Sequence, residues 1–211
     1  REVAEFLSAN GVTVAAGHTM ADYEETMNSI LWGVTVSNHT FNAMREFRHR
    51  DPGILGAVFT DPRLWAELLC DGIHVHPAAV LTVLAAKGVE RVFLVSDALA
   101  AAGLPMGDYE SLGHSIKVDR QGRAYLADGT LAGSTATLLD CLKNLVDWAQ
   151  CPLEQILPVV TSNPAKAANV FSDKGSLEPG KDADFVCLNS GYDVVFTVAR
   201  GNIAEKVGSK S

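Results

Sequence analysis

Short apolar runs alternate with amphipathic stretches along the first part of the chain. Four runs rich in Val, Leu, Ile and Ala predict buried strands, at 11–18, 33–39, 66–76 and 91–98. The stretches between them place apolar residues three and four positions apart, which is the spacing of an amphipathic helix. Strands that alternate with helices indicate βαβ units and a parallel sheet.

Local signals mark the ends of two of these helices. Thr19 with Asp22 predicts a capping pair at the start of the helix after the first run, and Gly33 ends that helix. Pro77 suits the first turn of a later helix that runs to Gly88.

The pattern changes after Asp97. Residues 114–134 read as hairpin strands, with turn signals at 119–122 and 128–129. Two helical segments are predicted after them, and a tail of short strands separated by Gly, Pro and Asp follows. The helical segments cover 135–150 and 152–170, and the tail covers 175–202.

Together these elements predict an α/β fold. We expect residues 1–170 to form the later half of a (β/α)8 TIM-like barrel, with a hairpin insertion near 114–130. Residues 171–211 would form part of a small accessory β-sandwich module. A half-barrel leaves two open sheet edges, which a partner or another part of the protein would have to cover.

Polar side chains close the four predicted strands. His18, His39 and His74 end the first three strands, and Asp97 ends the fourth. In barrels of this type the chemistry lies at the carboxyl ends of the strands. Imidazole and carboxylate groups are also ligands that zinc prefers. We therefore expect these side chains to converge at one rim, with His18 and His39 binding a divalent metal ion.

Each of these residues also has an ordinary structural interpretation. A single histidine is usually a hydrogen-bonded residue without chemistry, and Asp97 would suit the N-cap of a helix after its strand. The occurrence of such residues at four successive strand ends favours catalysis, with Asp97 as a general acid/base.

A positive cluster follows His39. It contains Arg45, Arg48, His49 and Arg50. Such a cluster is either a solvated surface or, in a loop over an active site, an anion-binding site. An arginine suits a phosphate because its guanidinium can donate two hydrogen bonds at once.

Composition excludes some classes of protein. The 211 residues carry a net charge of −8, which argues against nucleic-acid binding, and 47% of them are hydrophobic, which is enough for a substantial core. Charged residues interrupt the longest apolar stretch, so we expect no membrane span. The four cysteines form no C-x-x-C pair, which is typical of reduced thiols in a cytoplasmic protein.

Several motifs resemble those of N-acetylglucosamine-6-phosphate deacetylases, in the amidohydrolase superfamily. They are GHTMADY, NHTFNAM, RDPG, DGIHVHP, VSDA, LAGST and NPAKAANVFSDKGSLEPGKDADFV. The last is general to amidohydrolases, whereas the combination of HTFNAM, DGIHVHP and SDA is specific. The resemblance covers nearly the whole chain.

The resemblance implies roles for individual residues. His18 and His39 would be metal ligands, and Asp97 would be the catalytic acid/base. The substrate-binding residues would be Asn42, Ala43, Arg50, His74, Ala132, Gly133 and Ser134. The implied cofactor is a divalent metal ion, zinc in the first place and iron(II) as the other ion that suits these ligands.

The same resemblance implies a reaction and a context. The substrate would be a phosphorylated amino sugar, hydrolysed to glucosamine 6-phosphate and acetate, and the full-length protein would be a homodimer. The family's remaining metal ligand, a glutamate, and a further histidine lie on earlier strands that these 211 residues do not contain. We therefore expect the chain alone to have little or no activity.

Two other functions remain open at this point. One is another amidohydrolase, such as a dihydroorotase-like hydrolase, for which Arg50 would have no role. The other is a non-catalytic half-barrel that serves as an interaction module.

Overall fold

The computed structural model describes residues 1–111 and 113–206, and strands and helices alternate in its first part. The α-helices are α1 (Glu2–Ala9), α2 (Tyr23–Leu31), α3 (Gly53–Thr60), α4 (Pro77–Lys87), α5 (Leu138–Ala149), α6 (Leu153–Ile156) and α7 (Ser162–Ala167). The strands are β1 (Val14–Ala16), β2 (Val34–Ser37), β3 (Trp65–Leu68), β4 (Val92–Leu94), β5 (Gly107–Ser111), β6 (His114–Val118), β7 (Ala124–Leu126), β8 (Phe185–Leu188), β9 (Val194–Ala199) and β10 (Asn202–Lys206). Short 3-10 helices cover Val89–Arg91 and Leu157–Val160.

The first four strands form a parallel sheet in their order along the chain. Each neighbouring pair is parallel. Parallel neighbours need a crossover connection, and α2, α3 and α4 lie in the three connections. The predicted parallel α/β sheet is therefore confirmed, whereas closure into a barrel stays a prediction.

This sheet and its helices share one apolar core. Leu68 of β3, Val80 of α4 and Leu145 of α5 are all completely buried in it. Burying a side chain of this size contributes about 1.5–3 kcal/mol. Because α5 packs into the same core, the chain returns to the parallel sheet after the inserted strands.

The start of α2 differs from its prediction by one turn. Asp22 is the N-cap, its carboxylate accepts from the Glu25 N–H, and the Glu25 carboxylate accepts from the Asp22 N–H. Thr19 lies outside the helix, where its hydroxyl accepts from the Ala21 N–H. The reciprocal pair of Asp22 and Glu25 satisfies two N–H groups that would otherwise be unpaired at the helix start. The predicted pair of Thr19 and Asp22 does not form these bonds.

The inserted strands form a separate antiparallel sheet, in the order β5-β6-β7. It begins at Gly107, earlier than the predicted hairpin at 114–130, because β5 pairs along its whole length with β6. The predicted turn at 119–122 is confirmed. There the Asp119 carboxylate accepts from the N–H groups of Gln121 and Arg123.

The sequence predicted one helical segment at 152–170, and this prediction is wrong. The segment divides into α6, the 3-10 helix Leu157–Val160 and α7. Pro158 has no N–H to donate, and Thr161 has φ −127° and ψ −90°, outside the helical region. The tail forms a third sheet, antiparallel, in the order β10-β9-β8.

The predicted division at residue 170 stays a prediction, and residues 207–211 of the predicted module lie outside the described residues. Among the described residues, none of the helices combines the length and the apolar composition that crossing a bilayer requires.

The core predicts the outcome of a matched pair of leucine substitutions. Leu145→Ala removes a completely buried side chain, and we expect it to lower the free energy of unfolding by about 2–5 kcal/mol. Leu31→Ala, also in a helix but 71% exposed, should change it by less than about 0.5 kcal/mol. Urea unfolding measures both, and equal losses would contradict the described core.

Candidate active site

His18 and His39 meet at the carboxyl ends of β1 and β2. The register pairs Ala16 with Ser37, so each histidine lies two residues beyond a paired position. Their ring centroids are 4.8 Å apart, edge to face, at an interplanar angle of 74°. The parallel register thus brings together two imidazoles that are far apart in sequence.

Three candidate residues share an unusual backbone conformation. His18 has φ 45°, His39 has φ 29° and Asp97 has φ 45°. Positive φ is uncommon for residues with a Cβ and costs about 1–3 kcal/mol where it is strained. Such conformations cluster at functional sites, and here they occur where β1, β2 and β4 give way to loops.

A glycine allows the close approach of the first two strand ends. A Cβ at Gly17 would lie 2.9 Å from the Asn38 Cβ, closer than side chains tolerate. The Asn38 N–H donates to the Ala16 carbonyl at 2.9 Å, which continues the pairing beyond β1. Gly17 is therefore needed for the two histidines to come into contact.

Glu67 is a site residue that the sequence reasoning missed. It lies on β3, and its carboxylate accepts from the backbone N–H of His39 at 2.8 Å. Burial raises the pKa of Glu67, the hydrogen bond and charge of His39 lower it, and the charge of Asp97 raises it further. An acidic residue inside an otherwise apolar strand was the available signal. Glu67 lies within electrostatic reach of both His39 and Asp97.

Asp97 lies three residues after β4 and is exposed in this chain. The apolar run before it had suggested a buried carboxylate. The Asp97 carbonyl accepts from the Ser134 N–H at 2.9 Å, and Ala98 and Ser134 form a parallel bridge. A Cβ at Gly133 would lie 2.9 Å from the Asp97 carbonyl oxygen. Segment 132–134 can pack against Asp97 because residue 133 is a glycine.

His74 does not close its strand, in contrast to the prediction. It lies six residues beyond the end of β3, in the loop before α4. Its Nδ1 lies 2.6 Å from an Asp71 carboxylate oxygen, and its Nε2 lies 2.7 Å from the Ala132 carbonyl oxygen. Burial alone would lower the pKa of His74, but these hydrogen bonds and the charges of Asp71 and Asp97 raise it.

Asn42 and Ala43 follow His39 in a tight turn. Asn42 donates to the His39 carbonyl through its backbone N–H and through Nδ2, each at 3.0 Å. Ala43 has φ 50° and is exposed. The turn places both residues directly beside a predicted metal ligand.

The positive cluster contains one arginine with a free charge. Arg45 pairs with Asp51 at 2.7 Å, and Arg48 pairs with Glu46 at 3.0 Å. Arg50 is exposed and makes no ion pair or side-chain hydrogen bond with the residues that the structure describes. Arg50 is the arginine of this cluster that remains available to an anion. No hydrogen bond joins its side chain to His18 or His39, all three of which the structure describes.

The two histidines fit a metal ion as partial ligands. Nδ1 of His39 is buried and has no hydrogen-bond partner among the described residues, which is costly unless a further group binds there. Within residues 1–111 and 113–206, no group of three or more His, Cys, Asp or Glu side chains is arranged to hold a metal ion. A catalytic zinc site usually has three protein ligands, of which this pair of histidines would provide two.

An open cavity of about 580 Å³ lies at this edge of the sheet. Its lining includes Asn38, Glu67 and Asp97. The cavity therefore brings together Glu67 of β3 and residues that follow β2 and β4, and it is large enough for a small-molecule substrate.

Comparison with known proteins identifies relatives over nearly the whole chain. N-acetylglucosamine-6-phosphate deacetylase of Bacillus subtilis is 36% identical over 203 residues, which is 96% of this chain and 51% of that protein. N-acetylgalactosamine-6-phosphate deacetylase of Escherichia coli O157:H7 is 37% identical over 199 residues, 94% of this chain and 52% of that protein. The chain spans about half the length of these curated relatives.

Solved structures similar to this chain come from the same group of enzymes as the sequence relatives. N-acetylglucosamine-6-phosphate deacetylase of Thermotoga maritima matches 97% of this chain and 56% of that chain, with a TM-score of 0.91 and 31% identity. A mutant of the Mycobacterium smegmatis enzyme, in complex with N-acetyl-D-glucosamine-6-phosphate, matches 96% of this chain and 54% of that chain. Its TM-score is 0.90 and its identity 34%.

The family model for the amidohydrolase family matches residues 1–204. The resemblance drawn from the motifs is thereby confirmed. This chain belongs to the amidohydrolase family, and it corresponds to the C-terminal part of N-acetylglucosamine-6-phosphate deacetylases.

Proposed function

We propose that this chain supplies the later part of the active site of a metal-dependent deacetylase for N-acetylglucosamine 6-phosphate. The products would be acetate and glucosamine 6-phosphate. The contact between the His18 and His39 rings carries the proposal, together with the buried Nδ1 of His39, which has no partner in the part of the chain that the structure describes. The names of the similar proteins support the choice of substrate.

His18 and His39 would hold the divalent ion, zinc or iron(II), with at least one further ligand. The ion would supply Lewis-acid activation of water and of the acetyl carbonyl. Membership of the amidohydrolase family supports a divalent metal ion. The Glu67 carboxylate accepts a hydrogen bond from the His39 N–H, which would help to hold the His39 imidazole in place.

Asp97 would move the proton. One carboxylate oxygen accepts a proton from the attacking water, and the same group then donates it to the nitrogen of the departing amine. Proton balance is kept, because the carboxylate ends the cycle as it began. Its exposure leaves it open to the cavity that it shares with Glu67.

Arg50 would bind the phosphate of the substrate, since its guanidinium is free of other charges among the described residues. Asn42 and Ala43 would contact the sugar phosphate from the turn after His39. Ala132 and Gly133 would contact the substrate from the loop beside Asp97. The contacts proposed for His74 and Ser134 would replace existing hydrogen bonds or act indirectly, because the ring nitrogens of His74 and the Ser134 hydroxyl already have partners.

The wider context is part of the same proposal. Four parallel strands in sequential order are compatible with the later half of a (β/α)8 barrel, and β8–β10 with part of an accessory module. The homodimer and the cytoplasmic location stay predictions.

The epimeric substrate is the second candidate. A relative that is 37% identical is named for N-acetylgalactosamine 6-phosphate, and it matches 94% of this chain. A dihydroorotase-like hydrolase and a non-catalytic module are the remaining alternatives, and substrate assays with metal analysis separate all four.

The full-length protein that carries this chain should hydrolyse N-acetylglucosamine 6-phosphate faster than its unphosphorylated analogue. We expect the loss of the phosphate to lower kcat/KM by about tenfold to a hundredfold, since it removes a charge-assisted contact. Acetate release measures both reactions and that of the galactose epimer. The 211-residue chain alone should release little acetate, and rapid turnover by it would contradict that expectation.

Arg50→Ala should remove most of the preference for the phosphorylated sugar. Arg48→Ala is the matched control, because it lies in the same loop but is already paired with Glu46. An unchanged preference in Arg50→Ala would mean that the phosphate is bound elsewhere.

Replacing His39 should abolish tight metal binding. His39→Gln removes the imidazole whose Nδ1 is buried without a partner, whereas His76→Gln changes an exposed histidine that caps α4. Elemental analysis of the purified full-length protein should show metal retained in the second variant and lost in the first. Equal metal content would rule out His39 as a ligand, and metal in neither variant nor wild type would favour the non-catalytic module.

Asp97→Asn should separate proton transfer from metal binding. Asparagine tolerates positive φ, so the backbone at residue 97 can be kept while the proton acceptor is removed. We expect kcat to fall by about a hundredfold to ten-thousandfold with metal content unchanged. A variant that retains kcat would exclude Asp97 as the acid/base.

A further inference from the structure

Asp71 is a buried carboxylate that the proposed reaction does not use. Its side chain is completely buried. One oxygen accepts from the backbone N–H groups of Ile73 and His74, each at 2.9 Å. The other oxygen lies 2.6 Å from Nδ1 of His74 and 3.0 Å from Oγ of Ser134. Both oxygens therefore have two partners each.

These partners define the charge of Asp71. Oγ of Ser134 accepts from the Ala136 N–H, so its own hydrogen is available to Asp71. Burial would raise the pKa of Asp71, but the hydrogen bonds from His74 and Ile73 and the charge of His74 lower it overall. The two backbone N–H groups and the Ser134 hydroxyl donate to this carboxylate whatever the charge of the His74 ring, and donors of this number hold a carboxylate in its ionised form.

The charge of His74 follows. An ionised Asp71 can only accept, and so can the Ala132 carbonyl on the other side of the ring. Both ring nitrogens must then donate, which makes the ring an imidazolium. The charged groups that act on this ring are the carboxylates of Asp71 and Asp97.

The same cluster reaches the backbone of Asp97. Ser134 donates its hydroxyl to Asp71 and its backbone N–H to the Asp97 carbonyl at 2.9 Å. The Leu99 N–H donates back to the Ser134 carbonyl at 2.8 Å. Ser134 is 2% exposed, so these bonds are shielded from water. A single buried residue thus joins Asp71 to Asp97.

We propose that Asp71 is a positioning residue of this site: it holds the doubly protonated ring of His74 and the hydroxyl of Ser134, and thereby fixes segment 132–134 against the backbone of Asp97. The catalytic consequence rests on the function proposed above for Asp97. The arrangement of charge around His74 is independent of that function.

The cluster has a defined pH window. Because the folded pKa of His74 is raised, its stabilisation is fully present below the ordinary histidine value and is lost as pH rises through the folded pKa. Because the folded pKa of Asp71 is lowered, its stabilisation is present above the ordinary aspartate value and is lost as pH falls through the folded pKa. Between these limits the pair is complete.

Side-chain NMR of the full-length protein tests the charge of His74. Long-range proton–nitrogen spectra should show both His74 nitrogens protonated at neutral pH, with a titration midpoint above about 6.5. His74→Gln assigns the signals. Asp71→Asn should lower the midpoint by about one unit or more. Asp128→Asn, which alters an exposed turn carboxylate bonded to the Thr130 N–H, should leave it unchanged.

A neutral His74 ring at neutral pH would overturn the proposal, and so would an unchanged midpoint in Asp71→Asn. The wild-type titration decides the first point even where Asp71→Asn does not fold.

Ser134→Ala tests the connection to Asp97. It leaves the pair of Asp71 and His74 in place but removes the hydroxyl between Asp71 and segment 132–134. We expect kcat to fall by about tenfold to a hundredfold with KM little changed, and the His74 midpoint to stay near that of wild type. A change in KM alone, or no change in kcat, would refute the positioning role.

The experiments distinguish a failure of the proposed function from a failure of the positioning role of Asp71. If the full-length protein released no acetate from either sugar phosphate, the proposed function would fall, while the His74 titration would still decide the arrangement around Asp71. If it were active and Ser134→Ala matched wild type, only the positioning role would fall.

Discussion

The parallel register of β1 to β4 is the constraint on which the rest of the structure depends. Because every strand runs in the same direction, every carboxyl end lies at one edge of the sheet. The pairing of Ala16 with Ser37 then sets His18 beside His39. A shift of one residue would turn these side chains to opposite faces.

Holding polar groups at that edge costs conformational free energy. His18, His39 and Asp97 all adopt positive φ, and the surrounding hydrogen bonds stabilise that geometry. Glu67 accepts from the His39 backbone, and Ser134 donates to the Asp97 backbone. Residues outside the proposed chemistry therefore position the residues to which that chemistry is assigned.

The inserted antiparallel sheet is part of this arrangement. It precedes the segment 132–134, whose backbone pairs with Ala98 and packs on Asp97. Through His74 and Ser134 the same segment is bonded to Asp71, in the loop after β3. Buried networks of this kind are stabilising only when every member has a partner, and each carboxylate oxygen of Asp71 has two.

The sequence by itself determined the parallel α/β layer, the helix from Pro77, the turn at 119–122 and the identity of His18, His39 and Asp97 as strand-end residues, because these follow from periodicity and local chemistry. It misplaced His74 at a strand end and read 152–170 as one helix. Only the tertiary structure showed that Glu67 is bonded to the backbone of His39 and Asp71 to the ring of His74, and that Arg50 is the arginine of its loop without an ion pair among the described residues. The physical reason is that a buried carboxylate or a free guanidinium is defined by partners distant in the chain, which no local pattern contains.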